Sequence, residues 1–181
     1  MIKIIQNCKK GFTLLELLVV VLIIGILASI ALPQYRMAVI KSKYTTMKNL
    51  VKSIVTAQQV YYLTNNQYAD ALDYLDVNLP DNYTTESTPS MYIYDWGYCG
   101  TYINGNGRNI VYCIHDSVHM QYSTTLQTNL RYCFVLGEDT TDIKNNLKLQ
   151  EKVCQQETGK DTYEGTGKSE INNKRYRRYG Y

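Results

Sequence analysis

Phe12 to Leu32 reads FTLLELLVVVLIIGILASIAL, and Glu16 is its only ionisable side chain. At 1.5 Å per residue the run forms about 31 Å of helix, enough to cross a bilayer core of roughly 30 Å. A charge at membrane depth costs about 2.5–3.5 kcal/mol even on lenient insertion scales, so it demands a partner. The run itself contains no cation, and a group on another molecule is the natural candidate. That makes Glu16 an assembly device. A second reading stands beside it. Thr13-x-x-Glu16 has the spacing of a capping box, in which two side chains satisfy free backbone N–H groups at a helix start. Gln would serve for capping alone, so a carboxylate here argues for a further role.

A short leader with Lys3, Lys9 and Lys10 precedes the run. Three readings compete. The first is an ordinary secretory signal cut after Ser29-Ile30-Ala31, against which stand the length of the run and Glu16 within it. The second is a plain membrane anchor. The third is an anchor whose leader is cut at Gly11–Phe12, placing Glu16 just beyond a new N-terminal amine. Flanking charge does not orient the segment, because Arg36, Lys41, Lys43, Lys48 and Lys52 follow it.

Lys10-Gly11-Phe12-Thr13-Leu14-Leu15-Glu16, then the apolar run with Gly25, then Pro33 and Tyr35, resembles the N-terminal signature of type IV pilins and of type II secretion pseudopilins. The resemblance is dense over residues 9–36 and loose over the helix that follows. It implies cleavage after Gly11 by a prepilin peptidase, N-methylation of Phe12, and pairing of Glu16 with the N-terminal amine of a neighbouring subunit. It also implies partners: copies of the same chain in a helical fibre, an assembly ATPase, a membrane platform protein and an outer-membrane secretin. The implied location is the inner membrane of a Gram-negative-type bacterium before assembly, and the cell surface afterwards.

Pro33 removes one helical hydrogen bond and, with Gly25, is expected to kink the helix, since periodicity resumes beyond it. Val39, Met47, Leu50, Ile54, Ala57 and Tyr61 follow an approximate three-and-four spacing, with Lys41, Lys43, Lys48, Lys52 and Gln58 on the solvated face. Asn65-Asn66 ends the helix. The expected organisation is a leader at 1–11, a transmembrane or fibre-core helix at 12–34, an amphipathic helix at 35–63 and a globular domain at 64–181. Within that domain, 64–90 is a connecting loop in which Asp70 caps one helical turn. An antiparallel sheet occupies 91–137, and a C-terminal loop and tail fill 138–181.

Strand signals fall at Met91–Tyr94, Thr101–Ile103, Asn109–Ile114, Val118–Ser123 and Leu130–Leu136. Asn104-Gly105-Asn106-Gly107 marks a hairpin, because Asn and Gly tolerate positive φ. Three or four antiparallel strands against a helix make a stable unit. The fold class is therefore α+β, type IV pilin-like: a long N-terminal helix, half transmembrane and half amphipathic, packed on a small antiparallel sheet.

Cys8 lies in the leader, and Cys99, Cys113, Cys133 and Cys154 follow it. An even count outside the cytoplasm suggests two disulfides, with three connectivities open. Sequential pairing is the expectation: Cys99–Cys113 across the hairpin, and Cys133–Cys154 tying a C-terminal loop to the sheet, as the pilin resemblance implies. A four-thiolate zinc site is the rival, and the lack of any Cys-x-x-Cys pair counts against it. His115 and His119 lie on a strand–turn–strand segment and read as surface histidines, with no metal site.

The chain has 181 residues, 18 Tyr against 2 Phe, and a formal charge of +3. Without the leader lysines its acids and bases balance, so no basic field recruits nucleic acid. The C-terminal NKRYRRYGY could hold single strands by charge and stacking, but a solvated tail is the plainer reading. There is no nucleophile–base arrangement, no phosphate loop and no cofactor signature. The leading expectation is a non-enzymatic pilin that polymerises into a type IV pilus fibre. The alternatives are a type II secretion pseudopilin, a DNA-binding minor pilin, or a secreted disulfide-bonded domain.

Overall fold

The computed structural model describes residues 11–85, 90–104, 109–138, 143, 147–168 and 174–181. The chain divides into two compact units, Met1–Arg36 and Met37–Tyr181, and helix α1 (Leu14–Asn65) contributes to both. In the first unit the helix is exposed along its whole length. Pro33 lies inside it and has no N–H to give to the Ser29 carbonyl. The Ser29 hydroxyl, for its part, donates to the Ile26 carbonyl (2.7 Å).

In the second unit α1 buries Ile40, Tyr44, Met47, Val51, Ile54, Ala57 and Gln58. The buried stripe is turned slightly from the one hydropathy suggests. Val39, Leu50 and Tyr61 are only half-buried, while Tyr44 and Gln58 lie fully inside. Both can do so because their polar ends are satisfied. The Tyr44 hydroxyl shares a hydrogen bond with the Tyr181 hydroxyl (3.1 Å). The Gln58 amide gives Nε2–H to the Ala69 carbonyl (2.7 Å) and takes the Ala69 N–H on Oε1 (2.9 Å). A buried amide with both ends paired carries little penalty. Gln58 thus belongs to the core, not to the solvated face. Asn66, at φ 55°, turns the chain out of the helix, and its N–H bonds the Tyr62 carbonyl.

Among the described residues a single antiparallel sheet of eight strands follows, larger than the three or four that the sequence suggests. The strands are β1 (Thr84–Thr85), β2 (Met91–Tyr94), β3 (Gly97–Tyr102), β4 (Ile110–His115), β5 (Met120–Thr125), β6 (Arg131–Gly137), β7 (Gly165–Lys168) and β8 (Arg175–Gly180). Their spatial order is β1-β2-β3-β4-β5-β6-β8-β7. The turn residues 105–108 lie outside the described residues, but β3 and β4, which flank them, pair directly. Asp116–Val118 forms a 3-10 turn, so β5 starts later than Val118, after His119 in a left-handed conformation. In the connection, Leu72–Tyr74 is also a 3-10 turn. Ala71, not Asp70, occupies its cap, and no side-chain bond supports it.

One core joins the α1 stripe to Tyr92, Tyr94, Val111, Met120, Tyr122 and Val135 of the sheet. A smaller cluster of Tyr112, Ile114 and Leu136 is covered by Tyr98, Phe134 and Tyr176. Cys99 and Cys113 are register partners on β3 and β4 and are bonded, with Cα atoms 4.0 Å apart. Cys133 of β6 is bonded to Cys154 of helix α2 (Lys148–Thr158). Closing loops of these lengths is worth about 3 kcal/mol each in the chain-entropy account.

The C-terminal stretch is the main surprise. It is not a loop and solvated tail. It supplies α2 and two strands, and β8 inserts between β6 and β7. Two of its arginines have partners, although the Nε of each is buried without a hydrogen bond among the described residues. Arg177 donates to Glu151 of α2 (2.5 Å) and lies over the Tyr163 ring, while Arg178 lies over Tyr132.

Candidate functional site

Gly11, Phe12 and Thr13 precede α1 in non-helical backbone. The first helical bond runs from the Leu17 N–H to the Thr13 carbonyl (3.2 Å), making Thr13 the cap. The Glu16 N–H donates to Thr13 Oγ1 (3.2 Å), while the Thr13 N–H and hydroxyl both donate to Glu16 Oε2 (2.8 and 2.7 Å). This is a closed capping box, which satisfies free N–H groups reciprocally. It uses one oxygen of the carboxylate. Among the described residues, Glu16 Oε1 receives no hydrogen bond and no cation pairs with the group. Capping and charge pairing are therefore compatible at this side chain. One oxygen holds the helix start, and the side chain is exposed.

Around it the helix offers a continuous apolar surface. Phe12, Leu14, Leu15, Leu18, Leu22 and Ile26 are all exposed, and a side chain added at Gly25 would meet nothing. The helix containing this stretch is long and apolar enough to cross a membrane. An apolar surface of this extent needs lipid or other protein to cover it.

The other features noted in the sequence separate. His115, at the end of β4, is buried, contrary to the surface reading, and its ring lies 5.1 Å from that of Trp96. His119 is exposed on the following turn. Of the basic C-terminal residues, Arg177 is neutralised by Glu151, which also accepts the Tyr179 hydroxyl (3.0 Å), and Lys174 lies 3.9 Å from Asp116. Nothing local in the sequence points to Glu151 as the counter-ion, because the pair is 26 residues apart. On α1, Lys48 likewise pairs with Glu157 of α2 (2.7 Å).

Residues 6–32 match the family model described as the prokaryotic N-terminal methylation motif. The N-terminal segment is pilin-like. The chain is 43% identical over 62 residues to the type IV major pilin protein PilA of Myxococcus xanthus, covering 34% of this chain and 28% of that protein. It is 32% identical over 105 residues to a fimbrial protein of Pseudomonas aeruginosa, 58% of each chain. It is also 42% identical over 60 residues to the type II secretion system core protein G of Pseudomonas aeruginosa, covering 33% of this chain and 42% of that one. The chain thus spans between 28% and 58% of the length of these relatives. No solved structure matches it. The matched segment contains Gly11, Phe12 and Gly25 of the exposed N-terminal stretch, and Thr13 and Glu16, which form the capping box.

Proposed function

We propose that this chain is a structural pilin subunit that polymerises through its N-terminal helix into a type IV pilus fibre. The observation that carries this reading is an exposed apolar helix with one carboxylate at its start, of which one oxygen caps the helix and the other is free. In this account a prepilin peptidase cuts between Gly11 and Phe12, and Phe12 is N-methylated. The subunit waits in the inner membrane with its disulfide-bonded domain outside. On assembly, helices leave lipid and pack on like helices, and Glu16 receives the N-terminal ammonium of a neighbour through its open oxygen. That pairing removes the cost of an unpartnered charge in an apolar setting and fixes the axial stagger. Gly25 and Pro33 give the helix close-packing room and a bend. An assembly ATPase, a platform protein and a secretin complete the machinery.

The match to a type II secretion core protein favours one second reading, a pseudopilin that builds a short periplasmic filament. DNA capture is disfavoured by the Arg177–Glu151 pair, which takes one arginine of the basic stretch out of play.

Mass spectrometry of the chain purified from membranes and from sheared surface fibres tests the proposal. Both forms should begin at Phe12 with one added methyl group. A chain beginning after Ala31, or one that keeps its lysine-rich leader within fibres, overturns it. Recovery of the mature chain in membranes but never in surface fibres, with a block in secretion on its deletion, selects the pseudopilin reading.

A further inference from the structure

A cleft of about 650 Å³ opens where the C-terminal end of α1 meets the connection after it and the residues flanking the β3–β4 turn. Its chemistry is specific. Tyr62 and Tyr68 lie with ring centroids 4.7 Å apart, and Tyr74 adds another ring. Tyr62 is 40% and Tyr74 63% exposed. The amides Gln67 and Asn109 and the carboxylate Asp70 also line the cleft, and among the described residues no lysine or arginine does.

Asn109 supplies the independent observation. It is 8% exposed, yet its Oδ1 is buried with no hydrogen-bond partner among the described residues. Its backbone is held in place by the Leu126 N–H, which donates to the Asn109 carbonyl (2.8 Å). Buried acceptors are nearly always paired, so an orphan in the wall of a cleft points to a donor that arrives with a ligand.

We propose that this cleft binds a neutral hexopyranose unit of a glycan. A pyranose has apolar C–H faces that suit tyrosine rings. Its hydroxyls can donate to Asn109 and Asp70 and accept from the amide N–H groups, which matches this mixture of groups. An anionic ligand would meet Asp70 with no cation among the described lining residues to receive it. A purely apolar ligand would leave the amides desolvated and unpaired. The proposal is independent of fibre assembly, since none of these residues lies in the Phe12–Leu32 run.

The test uses the full chain in a detergent without a sugar head group. Saturation-transfer NMR is read with methyl β-glucopyranoside, methyl β-galactopyranoside and, as the anionic control, N-acetylneuraminic acid. Saturable transfer from at least one neutral glycoside is expected, with none from the acid. Tyr62→Ala and Tyr74→Ala remove exposed rings and should leave the circular dichroism spectrum unchanged while weakening binding at least tenfold. Asn109→Leu should also weaken it, through loss of the Oδ1 acceptor. Absence of transfer from both neutral glycosides, unchanged affinity in both tyrosine variants, or preference for the acid sugar would each overturn the proposal. Tyr74→Ala should still enter fibres as the parent does, so failure of the glycoside arm leaves the pilin reading intact, and the reverse also holds.

Discussion

The two stretches of α1 solve opposite problems. From Ile40 to Gln58 the helix buries a narrow stripe against its own sheet, and even a tyrosine hydroxyl and a glutamine amide on that stripe find partners within the chain. From Leu14 to Leu32 the side chains are more apolar, and none is buried. Hydrophobicity alone therefore does not predict burial here. The domain stretch is patterned, with one face for the chain and one for water. The N-terminal stretch is apolar all round, so its partner must surround it. Glu16 is the one polar exception, and half of its bonding capacity is left over after capping.

The strongest test of this contrast lies at Glu16. Replacement by Ala removes both the cap and the charge, whereas Glu16→Gln keeps acceptors for the Thr13 N–H and hydroxyl and removes only the charge. If the open oxygen serves a neighbour's ammonium, both variants should insert in the membrane and both should lower surface fibres at least a hundredfold, on the order of 3 kcal/mol of lost pairing. Counting fibres by electron microscopy, with subunit quantified in membranes, separates the two roles. Wild-type fibre yield from Glu16→Gln would reduce the residue to a helix cap.

A smaller effect comes from deleting one side chain on each stretch. Met47 is fully buried and Leu22 is 58% exposed. Met47→Ala should cost about 3 kcal/mol of domain stability, the usual loss for a large core side chain. Leu22→Ala should leave domain unfolding within about 0.5 kcal/mol of the parent, as surface changes do. Its effect should appear only in fibre yield. Thermal unfolding of the full chain in detergent, followed by circular dichroism, reads both. A comparable loss from the Leu22 variant would mean that the N-terminal stretch already has a partner within its own chain.

The difference between the stretches also governs what could be read from residues alone. The start of α1 was legible because its determinants are local: a threonine, a carboxylate three positions on, and an unbroken apolar run. Strands β2 to β6 were legible in outline for the same reason, through alternation and turn residues. Strand β8 was not. RYRRYG reads as a polar tail unless Glu151, Tyr163 and Tyr132 are already known to receive its guanidinium groups, and those partners are set by tertiary pairing. Hydropathy puts Gln58 on the wrong face because its amide is matched to the backbone of Ala69, a match that hydropathy does not register. The tyrosine cleft draws on segments far apart in sequence, so no window contains it.

His115 gives the gentlest probe, because pH acts on it within the domain and touches nothing apolar in the N-terminal stretch. Its ring is buried at the end of β4, beside Trp96, with Nδ1 3.4 Å from Ser117 Oγ. Burial holds its pKa below the usual histidine value, and the Lys43 ammonium pushes the same way. Asp116 opposes them. The folded state therefore takes up its proton at lower pH than the unfolded chain does. Above the ordinary histidine range both states are neutral there, and the full stability is present. As pH falls from about 6.5 towards the lowered folded value, the unfolded state is protonated first and stability is lost, with a slope of at most about 1.4 kcal/mol per pH unit. Melting temperatures between pH 7.5 and 5 should fall more steeply in the parent than in His115→Phe. A parent and His115→Phe profile of equal slope would show that this ring keeps its proton affinity on folding, and that the domain's interior is less sealed than its packing implies.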